Sequence, residues 1–248
     1  MKTAVNVCLL QDIPIWQQLQ LEEALLRAGT GNWCLINHGT PDAIVMGISG
    51  KREALINELV YERRPVPIIR RFSGGGTVYV EKDTLFITLL FERTSLDLGV
   101  CPVTVMQWTE MLYGPLFAQN SSFCLRENDY VVGEKKIGGN AQYFSKKKWL
   151  HHTSFLWDYC PEKMRVLTLP SIAPKYRKGR SHEDFLSKLS FFFKDKEAFT
   201  KGFLQELQRH FYVQYSNFEE ASAVLALPHR KSLEVIAPYG VSGLTHYR

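Results

Sequence analysis

The sequence predicts an α/β fold of the α+β kind: a mixed, largely antiparallel central sheet flanked by helices. Three observations carry that prediction. β-branched and aromatic runs follow one another across short turns, as in hairpins. Helical periodicity falls in separate blocks, without the one-for-one strand–helix alternation of a doubly wound sheet. The chain has 248 residues, 45% hydrophobic and 22% charged, an ordinary globular composition with length for a large core.

Trp16 to Ala28 carries apolar residues at helical spacing, with Trp16, Leu19, Ala24, Leu25 and Leu26 near one side, and Gly29 and Gly31 stop it. "WCLINH" (33–38) and "DAIVMG" (42–47) read as two strands joined by Gly39-Thr40-Pro41. Ser49 is placed to cap a short helix through Leu59. "VPIIRR" enters a run of three glycines as a strand, "GTVYV" leaves it as another, and "TLFITLLF" (84–91) follows the turn Glu81-Lys82-Asp83. Pro102 opens a helix to about Phe117. "SFCLR", "NDYVV", "KKIGGNAQYF" and "WLHHTSFLWDY" read as strands, with a turn at Gly133-Glu134. Beyond them Ser181, with Asp184 three residues on, and Asp195 are helix caps, the second helix reaching His210. "FYVQYS" is a last short strand. The expected division is one domain over residues 1–228 and a loosely ordered tail over 229–248, with no separate accessory domain.

The 30 basic and 25 acidic residues leave a net charge of +5, which suits an anionic ligand or an acidic partner without requiring nucleic acid. No helix-turn-helix, RNA-recognition or zinc pattern supports a nucleic-acid-binding module. Five widely spaced cysteines include no Cys-x-x-Cys pair, which argues against a disulfide framework or zinc site and fits a reducing compartment. The sequence shows neither a secretory signal pattern nor an apolar run of membrane-spanning length, so the expectation is a cytoplasmic chain without a membrane partner.

Two stretches bear chemistry. In "RRFSGGGTVYV" (70–80) three glycines between strand-like segments imply a sharp bend or close approach, and their N–H groups can converge on an anion beside Arg70 and Arg71. "GEKKIGGNAQ" (133–142) lacks the Gly-Lys-Ser/Thr end of a phosphate-binding P-loop. What remains is a hairpin presenting lysine before a Gly-Gly step, with Lys135 and Lys136 on opposite sides of a strand. Two cationic, glycine-rich hairpins together suit a phosphate and a carboxylate, as formation of an acyl-adenylate requires.

These stretches, with "NDYVVGEKKIGGNAQ" and "HHTSFLWDY", resemble the lipoate–protein ligase family: Arg-Arg-x-Ser-Gly-Gly-Gly, Asn-Asp, Lys-x-x-Gly-x-Ala and His-His occur in the family's order. "PKYRKGRSHEDFL" (174–186) is similar to a segment of a short, single-domain branch. The resemblance implies the biotin/lipoate ligase (class II synthetase-like) catalytic fold. It also implies a two-step reaction, in which ATP and lipoate give lipoyl-adenylate and a lysine of a lipoyl-accepting domain then takes the acyl group. The acceptors it implies are 2-oxoacid dehydrogenase E2 and glycine cleavage H protein, with the enzyme a monomer. By motif position Lys136 is the essential lysine, on the α-phosphate and the lipoyl carbonyl. Arg71, Gly75, Gly76, Thr77, Val78, Tyr79, Asn128 and Asp129 line ATP or the adenylate, and Asp129 places Mg²⁺. Ser73, Gly74, Gly138, Gly139, Ala141 and His152 lie along lipoate. Trp33, Val45, Phe72 and Tyr79 are candidates to enclose its apolar part.

The chain departs from many relatives in carrying Val80-Glu81 where they have His-Asp. Its length leaves little beyond a catalytic domain, which raises a transfer-only half of a two-part ligase as an alternative. Another is an octanoyl or lipoyl transferase acting through Cys124, upstream of the lysine hairpin and two residues from Arg126. The surrounding "FCLREND" matches the ligase pattern better, and Cys124 is expected to be non-catalytic. His151 and His152, adjacent in a strand, face opposite ways and form no shared metal site. His182 reads as structural or surface, and Lys175, Arg177, Lys178 and Arg180 as a surface that steers an acidic acceptor.

Overall fold

The computed structural model describes residues 2–97, 99–119, 122–170 and 173–237. Twelve strands occur among them: β1 (Ala4–Gln11), β2 (Trp33–His38), β3 (Ala43–Met46), β4 (Ile68–Arg70), β5 (Val78–Val80), β6 (Thr84–Glu92), β7 (Phe123–Arg126), β8 (Asp129–Val132), β9 (Lys135–Phe144), β10 (Lys148–Leu156), β11 (Tyr212–Ser216) and β12 (Glu234–Ala237). The helices are α1 (Ile15–Arg27), α2 (Arg52–Leu55), α3 (Glu58–Tyr61), α4 (Pro102–Tyr113), α5 (Pro161–Met164), α6 (His182–Phe185), α7 (Lys196–His210) and α8 (Phe218–Ser222).

Eight strands form one sheet in the order β11-β1-β2-β6-β10-β9-β8-β7. It is antiparallel except where β1 meets β2 and β11. The remaining four form a small sheet, β12-β4-β3-β5. Its formation changes two sequence expectations. β2 and β3 follow one another through Gly39-Thr40-Pro41 but belong to different sheets. The strands before and after the three glycines do not pair with each other: β4 runs parallel and β5 antiparallel to β3, which lies between them. The glycine run therefore crosses the end of β3.

β1 is not evident in the sequence because both of its faces are covered. Val5 and Val7 enter one apolar cluster, and Cys8 and Leu10 another, so no clean alternation survives. The expected helix from Ser49 to Leu59 is two single turns instead. Buried Ile56 is extended and bridges to Leu167, and Asn57 caps the second turn, accepting from the Val60 amide. The Pro102 helix ends at Tyr113 and continues as a 3-10 turn over Gly114–Phe117, where Pro115 has no N–H to extend the α ladder. The caps at Ser181 and Asp195 form, each side chain accepting from the amide three residues on. The expected tail contains β12, which pairs with β4 as far as Ala237; residues 238–248 lie outside the described residues.

α4 and α7 contribute to the apolar cluster on one face of the large sheet, around Trp108, Tyr113, Trp149, Phe155 and Phe203. α1 covers the other face through Leu21, Ala24, Leu25 and Leu26. A smaller cluster joins the two sheets: Ile15 and Leu19 of α1, Val45 of β3, Ile69 of β4, Val80 of β5 and Phe86 of β6. This junction positions the site.

Candidate active site

A cleft of about 400 Å³ opens at this junction, and both glycine-rich segments line it. The glycine run is built around Arg71. The residue is 5% exposed, and its Nη2 donates to the carbonyls of Gly74 and Gly76, each at 2.9 Å. Burial lowers its ordinary value to about 10, partly offset by Glu22, so it stays charged at neutral pH. Gly75, between those two carbonyls, has φ +113°, which L side chains rarely adopt, and a Cβ there would lie 2.6 Å from Arg71 Nη2. A Cβ on Gly47 would lie 2.2 Å from the Gly75 carbonyl oxygen, so the turn after β3 must also be bare for the run to pass. Around Gly74 and Gly76 there is open space. Thr77 Oγ1, in the cleft wall, is buried without a hydrogen-bond partner.

The lysine hairpin is built differently. β9 carries a bulge opposite Tyr130 and Val131, so two residues beyond Lys136 the register resumes at Gly138. Lys135 is exposed, while Lys136 lines the cleft and its Nζ lies 2.7 Å from Asp129 Oδ1. The two glycines of this hairpin do separate jobs. A Cβ on Gly138 would lie 2.8 Å from the Phe155 ring, on the core side. A Cβ on Gly139 would lie 3.0 Å from Lys136 Nζ, so its bareness leaves the ammonium its place.

Asp129 is 7% exposed and has both oxygens engaged: Oδ1 by Lys136, and Oδ2 by the Tyr176 hydroxyl at 2.8 Å. No group of three His, Cys, Asp or Glu side chains among the described residues could hold a metal ion. Mg²⁺ ordinarily takes one or two carboxylates together with substrate phosphates, and Glu127 and Asp129 are the carboxylates that line the cleft.

At the apolar end the cleft is lined by Ile15, Leu19, Val45, Val78, Val80 and Phe86. His152 lies beside Phe86, ring centroids 5.5 Å apart. Its Nδ1 is 2.9 Å from Glu22 Oε1 and 3.0 Å from Thr88 Oγ1. Glu22, 1% exposed, also accepts from Gln18 Nε2. Leu55, Met164, Leu167 and Phe185 give the cleft a second apolar wall, from the cluster that packs under the small sheet.

Of the residues proposed from the sequence, Arg71, Gly75, Gly76, Thr77, Val78, Tyr79, Asn128, Asp129, Lys136, Gly139, Ala141 and His152 line this one cleft. Ser73, Gly74 and Gly138 do not; Ser73 is buried, its carbonyl accepting from the Ile48 amide. Val45 and Tyr79 line it, whereas Trp33 and Phe72 pack in the α1 cluster. Sequence reasoning did not find Glu22 as the partner of His152, and it read Arg177 as surface and His182 as structural or surface, although both line the cleft. Glu22 left no signal, being an acid on a helix read only for apolar spacing. The segment "PKYRKGRSHEDFL" was the available signal for the other two.

Cys124 is exposed on edge strand β7 and is not part of the cleft wall. Partial burial and then Glu110 push its thiol up, against the lowering that a nucleophile needs. Nearby Arg126 is held by Glu134 at 2.6 Å. His151 faces the opposite side of β10, where burial and the neighbouring His152 lower it to about 3. It bonds Tyr130, Thr153 and Gln142 as a neutral ring.

No helix among the described residues is long and apolar enough to cross a membrane. Comparison with known proteins places the molecule. Inactive lipoate–protein ligase 2 of Plasmodium falciparum is 28% identical over 227 residues, covering 77% of this chain and 58% of its own length. Lipoate-protein ligase LplJ of Bacillus subtilis is 26% identical over 172 residues, 68% of this chain and 50% of its own. The chain thus spans little more than half the length of these relatives. A lipoate-protein ligase A bound with ATP shares the fold at TM-score 0.71 and 14% identity, covering 91% of this chain and 93% of that one. A bi-partite lipoate protein ligase of Thermoplasma acidophilum, described with its E2 lipoyl domain, does so at TM-score 0.72 and 15% identity, covering 91% of each. The family profile of the lipoyl protein ligase A/B catalytic domain matches residues 14–211, and with the cleft, the lysine hairpin and the fold in agreement, the chain belongs to that family.

Proposed function

We propose that the protein activates lipoate with ATP and transfers the lipoyl group to a lysine of lipoyl-accepting domains. One observation carries this reading. A single cleft joins two apolar walls, an ammonium beside a bare backbone, and a glycine run with an unpartnered hydroxyl, Thr77 Oγ1. An acyl-adenylate has the matching parts: an alkyl chain, a phosphate and a purine.

In the first step the lipoate carboxylate attacks the α-phosphorus and pyrophosphate leaves. Lys136, exchanging Asp129 for the α-phosphate and the acyl carbonyl, neutralises charge as it develops. The glycine run closes over the nucleotide, with Arg71 fixing its carbonyls so that its N–H groups face the ligand side. The wall of Ile15, Leu19, Val45, Val80 and Phe86 takes the acyl chain, with His152, oriented by Glu22, beside it. In the second step the acceptor amine attacks the mixed anhydride, forming the amide and releasing AMP. ATP and lipoic acid are bound in solved structures that share this fold.

Intact-mass analysis of a purified lipoyl-acceptor domain, mixed with the protein, lipoate and Mg²⁺ with and without ATP, tests the reading. A gain of one lipoyl group that requires ATP is expected.

A second reading rests on a solved structure that shares this fold and is described as a bi-partite lipoate protein ligase. Under that reading activation needs a second polypeptide, and acylation appears only when preformed lipoyl-adenylate replaces lipoate and ATP. Transfer from octanoyl-acyl carrier protein without ATP would instead mark a transferase.

A further inference from the structure

We propose that Arg177, which lines the cleft together with Lys136 and His182, is a phosphate ligand of the cleft and takes the pyrophosphate end of the nucleotide. This assignment rests on the ligase reading for its substrate. The site itself stands on the geometry.

Three cations line the cleft, Arg71, Lys136 and Arg177, against two carboxylates, Glu127 and Asp129. Arg71 is committed to loop carbonyls and Lys136 to Asp129. Arg177 differs. It is 6% exposed, its Nε donates to the Arg180 carbonyl at 3.0 Å, and its Nη2 is buried with no partner. A buried guanidinium with an unmade hydrogen bond is costly unless something satisfies it. Asp129, the carboxylate whose charge acts on it, is already bonded by Lys136 and Tyr176.

The fold fixes Arg177 there. It closes the 3-10 turn Lys175–Arg177, and the next residue, Lys178, has φ 51°. Arg177 and Arg180 donate to each other's carbonyl oxygens, and the Phe185 ring sits 4.7 Å from one guanidinium and 5.3 Å from the other. Tyr176, in the same turn, holds Asp129, so the turn that places Arg177 also anchors the partner of Lys136. His182, which follows, also lines the cleft. Burial first, then Arg177 and Lys136, lower it to about 4, so it is neutral at physiological pH and offers an N–H rather than a charge.

A planar guanidinium with a free N–H suits phosphate oxygens, and it shares the cleft with the ammonium assigned to the α-phosphate, both acting on His182. Adenylation leaves its departing negative charge on pyrophosphate. Arg177 is the lining arginine whose terminal Nη2 has no protein partner, and it can take that charge.

The test titrates inorganic pyrophosphate calorimetrically into the full chain. Wild type is expected to bind, Arg177→Gln to bind roughly 10- to 100-fold more weakly, and Arg177→Lys to fall between. Thermal melting of each variant checks the fold, and Arg177→Lys keeps the comparison valid if loss of packing on Phe185 unfolds the glutamine variant. With lipoate present, Arg177→Gln should raise the apparent KM for ATP at least tenfold, while transfer from preformed lipoyl-adenylate changes much less. Wild type that ignores pyrophosphate, or variants that bind it equally well, would overturn the proposal. Arg177-dependent pyrophosphate binding in a protein that makes no lipoyl-adenylate would uphold the site and reject self-sufficient ligase activity.

Discussion

Arg71 and Lys136 sit in similar settings, each a cation beside glycines lining the same cleft, yet the structure uses them in opposite ways. Arg71 is almost wholly buried and its hydrogen bonds point inward, to the carbonyls of Gly74 and Gly76. The Lys136 ammonium has one carboxylate partner and a side chain 22% exposed, over a glycine that leaves it space. One charge holds the loop, and the other can be handed to a ligand. A cation beside Gly-Gly in a sequence does not reveal which of these it is. The acceptors around it do.

Lys136→Ala should give the largest effect and the sharpest contrast. Adenylate formation should fall by at least about 100-fold, because the lost group acts on charge that develops in the transition state. Its unfolding free energy should change less than that of any Arg71 variant. Pyrophosphate release and chemical denaturation, measured on the same preparation, check both halves. Retained activity would break the comparison on the Lys136 side.

Arg71→Met should cost about 1–3 kcal/mol in denaturant unfolding, since the carbonyls of Gly74 and Gly76 lose the donor that shapes the run. Activity should fall with it, because the run loses its shape. If stability held while ATP binding vanished, Arg71 would be a ligand-facing cation like Lys136, and the distinction drawn between them would fail.

Much of the cleft was legible in the sequence because its main parts are local. Lys136 and the two glycines that follow lie within four residues, and the spacing that aims the lysine also clears its path. Glycine runs and caps at Ser181 and Asp195 are similarly self-contained. What the sequence hid depends on contacts between distant segments. Gly47 must be bare because Gly75 passes over it, and neither neighbourhood reveals this alone. Ser73 and Gly138 belong to the right motifs but face a buried turn and the Phe155 ring. Glu22 lies on a helix buried nearly all round, with Gln18, Glu22 and Glu23 as enclosed as its leucines, so apolar spacing could not single it out. The small sheet was hidden for the same reason. β3 is flanked by β4 and β5, and which strands meet across a glycine loop is a tertiary matter.

The two histidines of β10 extend the contrast to pH. His151 is held neutral in the core at about 3, well below its ordinary value of 6.5. The unfolded chain therefore binds a proton in the window between those values that the folded chain refuses, and acid favours unfolding there. The stability from this residue is full above pH 6.5 and is lost as the pH falls toward 3. His151→Gln should flatten the stability–pH curve relative to wild type between pH 6.5 and 4, measured by urea unfolding at each pH. Equal slopes would mean that His151 does not hold its neutral form in the fold.

Cys124→Ala should have the smallest effect: acylation of an acceptor domain unchanged within experimental error. The thiol is exposed on the edge strand, does not line the cleft, and lies among groups that raise it rather than release its proton. A transferase route through this sulfur would need a thiolate at the cleft, close to the acyl carbonyl that Lys136 polarises. β7 pairs with β8, and the Cys124 backbone lies opposite Val131, which in turn pairs with Lys136, so two strand spacings separate their backbones across the sheet. A dead Cys124→Ala protein with an intact fold would show that the acyl group visits the sheet's outer edge. The chemistry would then belong to β7, and the ATP-dependent reading of the cleft would fall.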